Sequence, residues 1–541
     1  MIFRSPHAEV TIPDVSYSTF VLQHARGAAD RPVLIDGPSG RALSREQVIT
    51  GSRRVASGLA RRGLAKGDIV AIYSPNLPEY ALAFHGTLMA GGVVTTANPL
   101  YTPEELAFQL RDTGARYLVT VPLCLEKARQ AARGTSVREI FVFGESAEPA
   151  TPFATLLAGD DDPPAVPVDP RRDLAALPYS SGTSGRPKGV MLTHRNLVAV
   201  MRQVETPAAL DESWRTLGIL PFFHIYGLVV LLNFPLYHGG LCVTMPRFDL
   251  QELLRLVQEH RLTHLYVVPP IVLALAKHPL VAEFDLGSLK QVSSGAAPLG
   301  EALQRACAER LQCLVTQGYG MTETSLACHV TPSDPARVRA GAVGLTLAGM
   351  EAKVVDLETG AERDAGERGE ICVRGPNIMQ GYWNDPEATA RTLDADGWLH
   401  TGDVGYADAD GYFYVVDRVK ELIKYKGLQV APAELEGLLL THPAVLDAAV
   451  IPSPDEEAGE VPKAFVVLRQ PAGSVERPDQ PSTRPPSPLP DELMAWVAAR
   501  VAPHKRIRRL AIVESIPKSA SGKILRRVLV EAERARARPT V

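Results

Sequence analysis

Residues 179–190, "YSSGTSGRPKGV", gather three glycines, four aliphatic hydroxyls and one lysine into a single short run. Backbone N–H groups and hydroxyls of Ser181, Gly182, Thr183, Ser184 and Gly185 can close around an anion while Lys188 supplies positive charge, which is a phosphate cradle in physical terms. The spacing is not GxxxxGK[ST], because Pro187 precedes Lys188 and Gly189 follows it, so a Walker A loop is excluded. Other chemistry-bearing side chains stand singly. Taken alone, Glu323 in "GYGMTET" is a surface charge, Asp403 ending "HTGD" a turn aspartate, and Arg418 an ion-pair partner of its neighbour Asp417. His224 in "PFFHIYG" fits a satisfied histidine at a buried strand end, Tyr319 fits core packing, and no Ser-His-Asp arrangement is evident. Lys424, Lys426 and Gln429 in "IKYKGLQ" lie about 100 residues before Lys523 in "SASGK".

These residues need a scaffold that brings them together, and the chain's rhythm supplies one. From residue 68, short β-branched runs alternate with helical segments: "DIVAIYSPN", "EYALAFHGTLMAGG", "VVTTANP", "PEELAFQLRDTG", "RYLVTV". The alternation returns after the cradle with "RTLGILP", "LCVTM", "DLQELLRLVQEH", "THLYVV", "PPIVLALAKH", "KQVSSG" and "PLGEALQRACAERL". This predicts an α/β fold with parallel sheets covered by helices and ligand-binding loops at the strands' C-terminal ends. Short strands and turns over about 340–416 predict a small β subdomain within a large unit spanning 1–419. Residues 420–541 predict a smaller, mobile α+β domain, hinged near Lys420 and carrying a proline-rich surface loop at about 470–490.

Composition narrows the function. With 541 residues the chain is too long for one core. A net charge of -4 argues against a nucleic-acid surface. Six scattered cysteines without a CxxC pair fit reduced thiols, and no metal knuckle is visible. Neither a signal peptide nor an apolar run of membrane-spanning length is found, so the expectation is a cytoplasmic protein with no membrane partner.

The block "YSSGTSGRPKGVMLTH" resembles the signature of the adenylate-forming superfamily of acyl-CoA synthetases, luciferases and peptide-synthetase adenylation domains. Seven further blocks follow in that family's order: "PFFHIYG", "SSGAAPLG", "QGYGMTET", "GERGEICVRG", "GWLHTGD", "DRVKELIKYKGLQVAPAELE" and "PKSASGKILRR". Together they cover nearly the whole chain, and the combination is most similar to 4-coumarate:CoA ligases and bacterial cinnamoyl-CoA relatives. By that resemblance, Ser181, Gly182, Thr183, Ser184, Gly185 and Lys188 hold the β- and γ-phosphates of ATP. Glu323 ligates Mg2+, Thr322 meets the α-phosphate, and Gln317, Gly318 and Tyr319 line the adenine site. Asp403 and Arg418 take the ribose.

His224 and Tyr226 then border the acyl carboxylate and ring, Gly295, Ala296 and Gly320 leave a slot for a planar group, and Leu326 lies at the pocket floor. Lys523 serves adenylation. Lys424, the Lys426-Gly427 strand and Gln429 serve thioester formation after domain rotation, and Arg247 contacts a CoA phosphate. The resemblance thus implies an ATP-dependent carboxylate:CoA ligase that uses ATP, Mg2+ and CoA, with an acid of the 4-coumarate or cinnamate type. A medium-chain fatty acyl-CoA ligase is the alternative of the same chemistry, and a non-catalytic nucleotide-binding scaffold the alternative of another class. After "GMTET" the chain continues "SLACHV", whereas plant 4-coumarate ligases usually carry a proline near Leu326, so the floor differs where ring substituents are read.

Overall fold

A computed structural model describes residues 1–23, 30–144, 148–180, 187–426, 428–455, 457–469, 490–519 and 522–537. Two large sheets form the N-terminal unit. In the first, the strands Leu174–Ala176, Val93–Ala97, Ile69–Tyr73, Tyr117–Thr120, Glu139–Val142 and Thr151–Pro152 run parallel in that spatial order. Ile69–Tyr73 is buried at every position, as expected of a parallel strand with both faces covered. The strand Lys188–Thr193, directly after the cradle, joins its antiparallel edge and also pairs with Gly381–Tyr382. In the second sheet Leu314–Tyr319, Gln291–Ser294, His264–Val267, Arg215–Gly218, Leu241–Thr244 and Pro32–Asp36 are parallel neighbours.

Helix boundaries follow local chemistry. Thr102 caps Pro103–Thr113 with a reciprocal bond to Glu105, and Gly114 closes it at φ 65°. Thr193 caps His194–Ala208 in the same way through Asn196, which fixes where the strand after the cradle turns into helix. A large apolar core runs through the N-terminal unit, a second cluster that includes Ala71, Leu106 and Leu118 covers the other face of the first sheet, and Ile423, Leu435, Leu439, Val450 and Val466 belong to a separate core in the C-terminal domain.

The β-rich segment forms an antiparallel sheet of Glu351–Val355, Gly369–Arg374, Leu399–Ala407 and Phe413–Arg418. Its outer strand is Ile2–Arg4, from the opposite end of the chain, a pairing that no local pattern announces. In the C-terminal domain, Val445–Asp455 and Gly459–Leu468 make one long hairpin, and Ile423–Tyr425 with Leu428–Val430 a short one. Among the described residues no helix is long and apolar enough to cross a membrane. All six cysteines are free thiols.

Candidate active site

Three loops that leave parallel strands of the second sheet meet the β-rich sheet and one loop of the C-terminal domain. Asp403 and Arg418 are register partners on adjacent strands. The Asp403 carboxylate accepts from the Tyr319 hydroxyl at 2.7 Å and pairs with Arg418 Nε at 3.3 Å. Each carboxylate oxygen has two lone pairs, so acceptor capacity remains for ribose hydroxyls. Arg418 therefore pairs with Asp403 and not with its neighbour. Asp417 instead accepts from Ala433 N and Arg418 N, both at 2.8 Å, and so satisfies the start of helix Pro432–Thr441.

Lys523 reaches the same cluster from the C-terminal domain. Its loop is tied by the Ser519 N–H to Lys523 carbonyl bond of 2.8 Å and by Lys523 N to Ser519 Oγ at 3.1 Å. Gly522 sits at φ 75°, and a Cβ there would fall 2.7 Å from Val268 Cγ2, so the backbone packs closely on the N-terminal unit. A second tie between the units is Lys277 Nζ to the Leu440 carbonyl, 3.0 Å. Burial, and then the positive charge of Arg418, lower the Lys523 ammonium to about 8, with Asp403 opposing.

Lys188 Nζ lies 5.1 Å from the centroid of the Tyr382 ring. The Tyr382 hydroxyl donates to Glu323 Oε1 at 2.8 Å, which joins the cradle lysine to the candidate metal ligand. Glu323 is 2% exposed, and among the described residues its Oε2 has no hydrogen-bond partner. A buried anionic oxygen without a donor is costly in isolation and suits a hard divalent cation. Thr322 is buried beside it in the turn Thr322–Thr324.

Next to this cluster lies a pocket of about 730 Å³, counting its open mouth. His224, Tyr226, Gly295, Ala296, Gly320 and Leu326 all line it, and so do Gln317, Gly318 and Tyr319. Tyr319 therefore faces the slot while its hydroxyl holds Asp403. A Cβ on Gly295 would lie 2.9 Å from Tyr226 Cε1, and one on Gly320 would lie 2.2 Å from the Leu326 carbonyl, so glycine is required at both. Ala296 adopts φ 67°, a left-handed conformation uncommon for alanine, and is the strained point of the lining.

His224 is not at a strand end. It lies on the turn beyond Arg215–Gly218 and is half-buried, because Asn76 pins this loop by donating to the Gly218 and Leu220 carbonyls and accepting from Phe222 N. Burial and the nearby Lys523 charge lower the imidazole to about 4, so it is neutral near pH 7. Tyr226 N donates to its Nδ1 at 3.3 Å, which leaves Nε2 to carry the hydrogen. The Gln317 amide exchanges bonds with the Leu299 backbone and donates to Gln304, so it braces the loop after Gly295.

Lys424, Lys426 and Gln429 are exposed on the short hairpin, where Lys424 opposes Gln429 and Lys426 pairs with Glu457. Arg247 is exposed on the loop between Leu241–Thr244 and helix Leu250–His260. Ser181, Gly182, Thr183, Ser184, Gly185 and Gly427 lie outside the described residues, as do 470–489 of the proline-rich loop. Sequence reasoning missed Tyr382, in "GYWND", and the polar side chains Gln291, Ser293 and Thr316 that line the pocket. Neither carries a spacing signal, because each acts through residues distant in the chain.

The AMP-binding enzyme family model matches residues 21–383, and the AMP-binding enzyme C-terminal domain model matches 434–523. A 4-coumarate–CoA ligase 5 of Oryza sativa subsp. japonica is 43% identical over 98% of this chain and 96% of its own length. A 4-coumarate–CoA ligase of Pinus taeda is 44% identical over 98% and 97%. Among solved structures, the anthranilate CoA ligase AuaEII in complex with anthranoyl-AMP superposes with a TM-score of 0.86 at 29% identity, covering 97% of this chain and 98% of that one. Cluster, slot, docked second domain and full-length identity agree: the chain belongs to the AMP-binding enzyme family.

Proposed function

We propose that the protein is an ATP-dependent acid:CoA ligase whose acyl substrate is an aryl-propenoic acid of the 4-coumarate or cinnamate type. One observation carries the reading: the apolar slot and the Asp403 cluster share Tyr319, so an acid in the slot ends where a nucleotide on Asp403 would present its α-phosphate. Curated relatives at 43% and 44% identity with that activity in their names support the acid.

In the first step a carboxylate oxygen of the acid attacks the α-phosphorus of ATP, and pyrophosphate leaves. His224 Nε2–H orients the carboxylate. Lys188 with residues 181–185 holds the departing phosphates, and the Lys523 ammonium balances charge that builds between them. Gln317 and Gly318 frame the adenine beside Tyr319, Arg418 with Asp403 holds the ribose, and Thr322 meets the α-phosphate. Glu323 fits Mg2+, which when bound screens the phosphate charge.

For the second step the C-terminal domain, residues 420–541, turns about a hinge near Lys420. Lys523 leaves, and the exposed hairpin of Lys424, Lys426 and Gln429, with the neighbouring Gly427, serves the acyl adenylate instead. The CoA thiolate attacks the acyl carbonyl, AMP departs, and Arg247 pairs with a CoA phosphate. Lys424→Ala is expected to slow transfer to CoA at least about 10-fold more than pyrophosphate release. A larger loss in adenylation would contradict the exchange of faces.

The Lys523 environment sets a pH dependence. Its folded value lies below that of a free lysine, so charge is lost as pH rises through about 8 in the nucleotide-free protein. kcat/KM for adenylation, which reports the free enzyme, is expected to fall above pH 8, while phosphate charge shifts the corresponding limb of kcat upward. A limb unchanged in Lys523→Arg would assign it to another group.

The acid itself is tested by kcat/KM for thioester formation across cinnamate, 4-coumarate, hexanoate and dodecanoate. The aryl acids are expected to lead. Dodecanoate above both would replace the aryl reading with a fatty-acyl one.

A further inference from the structure

We propose that Glu370 and His400 are positioning residues for the nucleotide: they hold the bulge in strand Leu399–Ala407 that aims Asp403 at the ribose. The proposal rests on the ribose role of Asp403 in the reading above and names what makes that role possible. Neither side chain reaches the nucleotide itself. Both act through the backbone of Gly402.

The ladder between Gly369–Arg374 and Leu399–Ala407 breaks at this point. Glu370 opposes Val404 and Cys372 opposes His400, so Thr401, Gly402 and Asp403 together stand against Ile371 alone. Such an excess bends a strand and re-aims a side chain, here that of Asp403. It also takes backbone groups off the ladder, and side chains must meet them. Gly402 N donates to Glu370 Oε1 at 2.9 Å. Thr401 Oγ1 donates to the Ile371 carbonyl at 2.7 Å and accepts from Asp403 N at 3.1 Å. Gly402 stands at φ 71°, a left-handed conformation that glycine adopts at little cost. Its carbonyl accepts from Val419 N at 2.9 Å, beside Arg418, so the bulge is tied on both sides.

What fixes Glu370 is His400. Its Nδ1 lies 2.9 Å from Glu370 Oε2 and 3.4 Å from Cys372 Sγ, and its Nε2 lies 3.7 Å from Asp394 Oδ2. The contacts with Cys372 and Glu370 raise the imidazole to about 10 against the effect of burial, so near pH 7 it is an imidazolium with a hydrogen on each nitrogen. Asp394 is itself held, because it accepts from Asp396 N and Trp398 N. Among the described residues no lysine or arginine pairs with Glu370, and His400 is its cationic partner. Lys353 and Arg374, from the neighbouring strand and from Glu370's own, are engaged elsewhere: both lie over the Trp398 ring, and Arg374 pairs with Glu351. One oxygen of Glu370 thus serves the clamp and the other serves Gly402 N, one residue before Asp403.

The test compares ATP with 2′,3′-dideoxy-ATP in pyrophosphate release by the full chain with 4-coumarate. The analogue lacks both ribose hydroxyls and keeps the base and phosphates. Wild-type kcat/KM is expected to favour ATP by about 100-fold, because hydrogen bonds to a carboxylate are the strong ones. Asp403→Ala is expected to bring that ratio to about 1. Glu370→Leu is expected to bring it below about 10, since a small misplacement forfeits most of an oriented contact. Glu370→Gln keeps an oxygen for Gly402 N and is expected to stay within about 3-fold of the wild-type ratio. His400→Leu frees the carboxylate to turn and is expected to lower the ratio to about 30 or less, which carries the test should Glu370→Leu not fold. A substitution that only loosened the fold would slow both nucleotides together and leave the ratio unchanged. An unchanged ratio in Glu370→Leu or His400→Leu therefore overturns the proposal, as does a loss in Glu370→Gln equal to that in Glu370→Leu, while a collapse in Asp403→Ala preserves the ribose reading. A wild-type ratio near one, or an unchanged ratio in Asp403→Ala, removes the ribose reading and the proposal with it.

Discussion

Lys523→Ala is expected to lower the rate of adenylation by about 10² to 10³ while thioester formation from supplied acyl-AMP stays close to wild type. The magnitude is that of removing one preorganised charge-stabilising contact, about 3 to 4 kcal/mol. Among the described residues the Lys523 ammonium makes no hydrogen bond or ion pair. Its backbone loop is held by Ser519 and by close packing of Gly522 on Val268, neither of which uses the ammonium. Lys523 is half-buried within reach of the Arg418 and Asp403 charges, and burial already lowers its pKa to about 8. Truncation therefore relieves a desolvated charge, and folding should not suffer. Pyrophosphate release and transfer from synthetic acyl-AMP, measured separately, check the expectation. Equal loss in both half-reactions would refute the separate roles of Lys523 and Lys424.

Glu323→Gln is expected to lower adenylation by about 100-fold at fixed Mg2+ and to raise the Mg2+ concentration needed for half-maximal rate. A cation that screens transferring phosphate charge is worth several kcal/mol in the transition state. Thermal stability without ligands should hold or rise, because the substitution removes an anionic oxygen that is buried and, among the described residues, unpartnered. The Tyr382 hydroxyl keeps an acceptor in the amide oxygen. Thermal melts with and without Mg2+, beside pyrophosphate release, separate this from a folding defect: a fall in Tm with unaltered Mg2+ dependence would make Glu323 structural.

Much of this arrangement was legible because local patterns encode it. Parallel strands such as Ile69–Tyr73 are continuous apolar runs, and the helix after the cradle begins at a capping threonine. Asp403 and Arg418 stand in sequence blocks whose family roles their pairing accommodates. What stayed hidden depends on contacts across the chain. The bond from Tyr382 to Glu323 spans 59 residues, and strand Ile2–Arg4 pairs with Glu351–Val355 from the far end. His224 was expected at a strand end, but Asn76, remote in sequence, sets its loop. The pocket floor was expected to differ at Leu326. Leu326 does line the pocket, yet the polar groups come from Gln291, Ser293 and Thr316, whose alignment appears only once two parallel strands are in register.

The measurement that bears most directly on the account is a rapid-quench time course with 4-coumarate, ATP and Mg2+, run with and without CoA, following the acyl-AMP, the acyl-CoA and the nucleotide products. Without CoA, 4-coumaroyl-AMP and pyrophosphate are expected to accumulate to about one equivalent of protein. With CoA, the adenylate is expected to rise and then decay into the thioester and AMP. Formation of ADP and phosphate, or of thioester at a rate that pre-formed 4-coumaroyl-AMP cannot sustain, would contradict it.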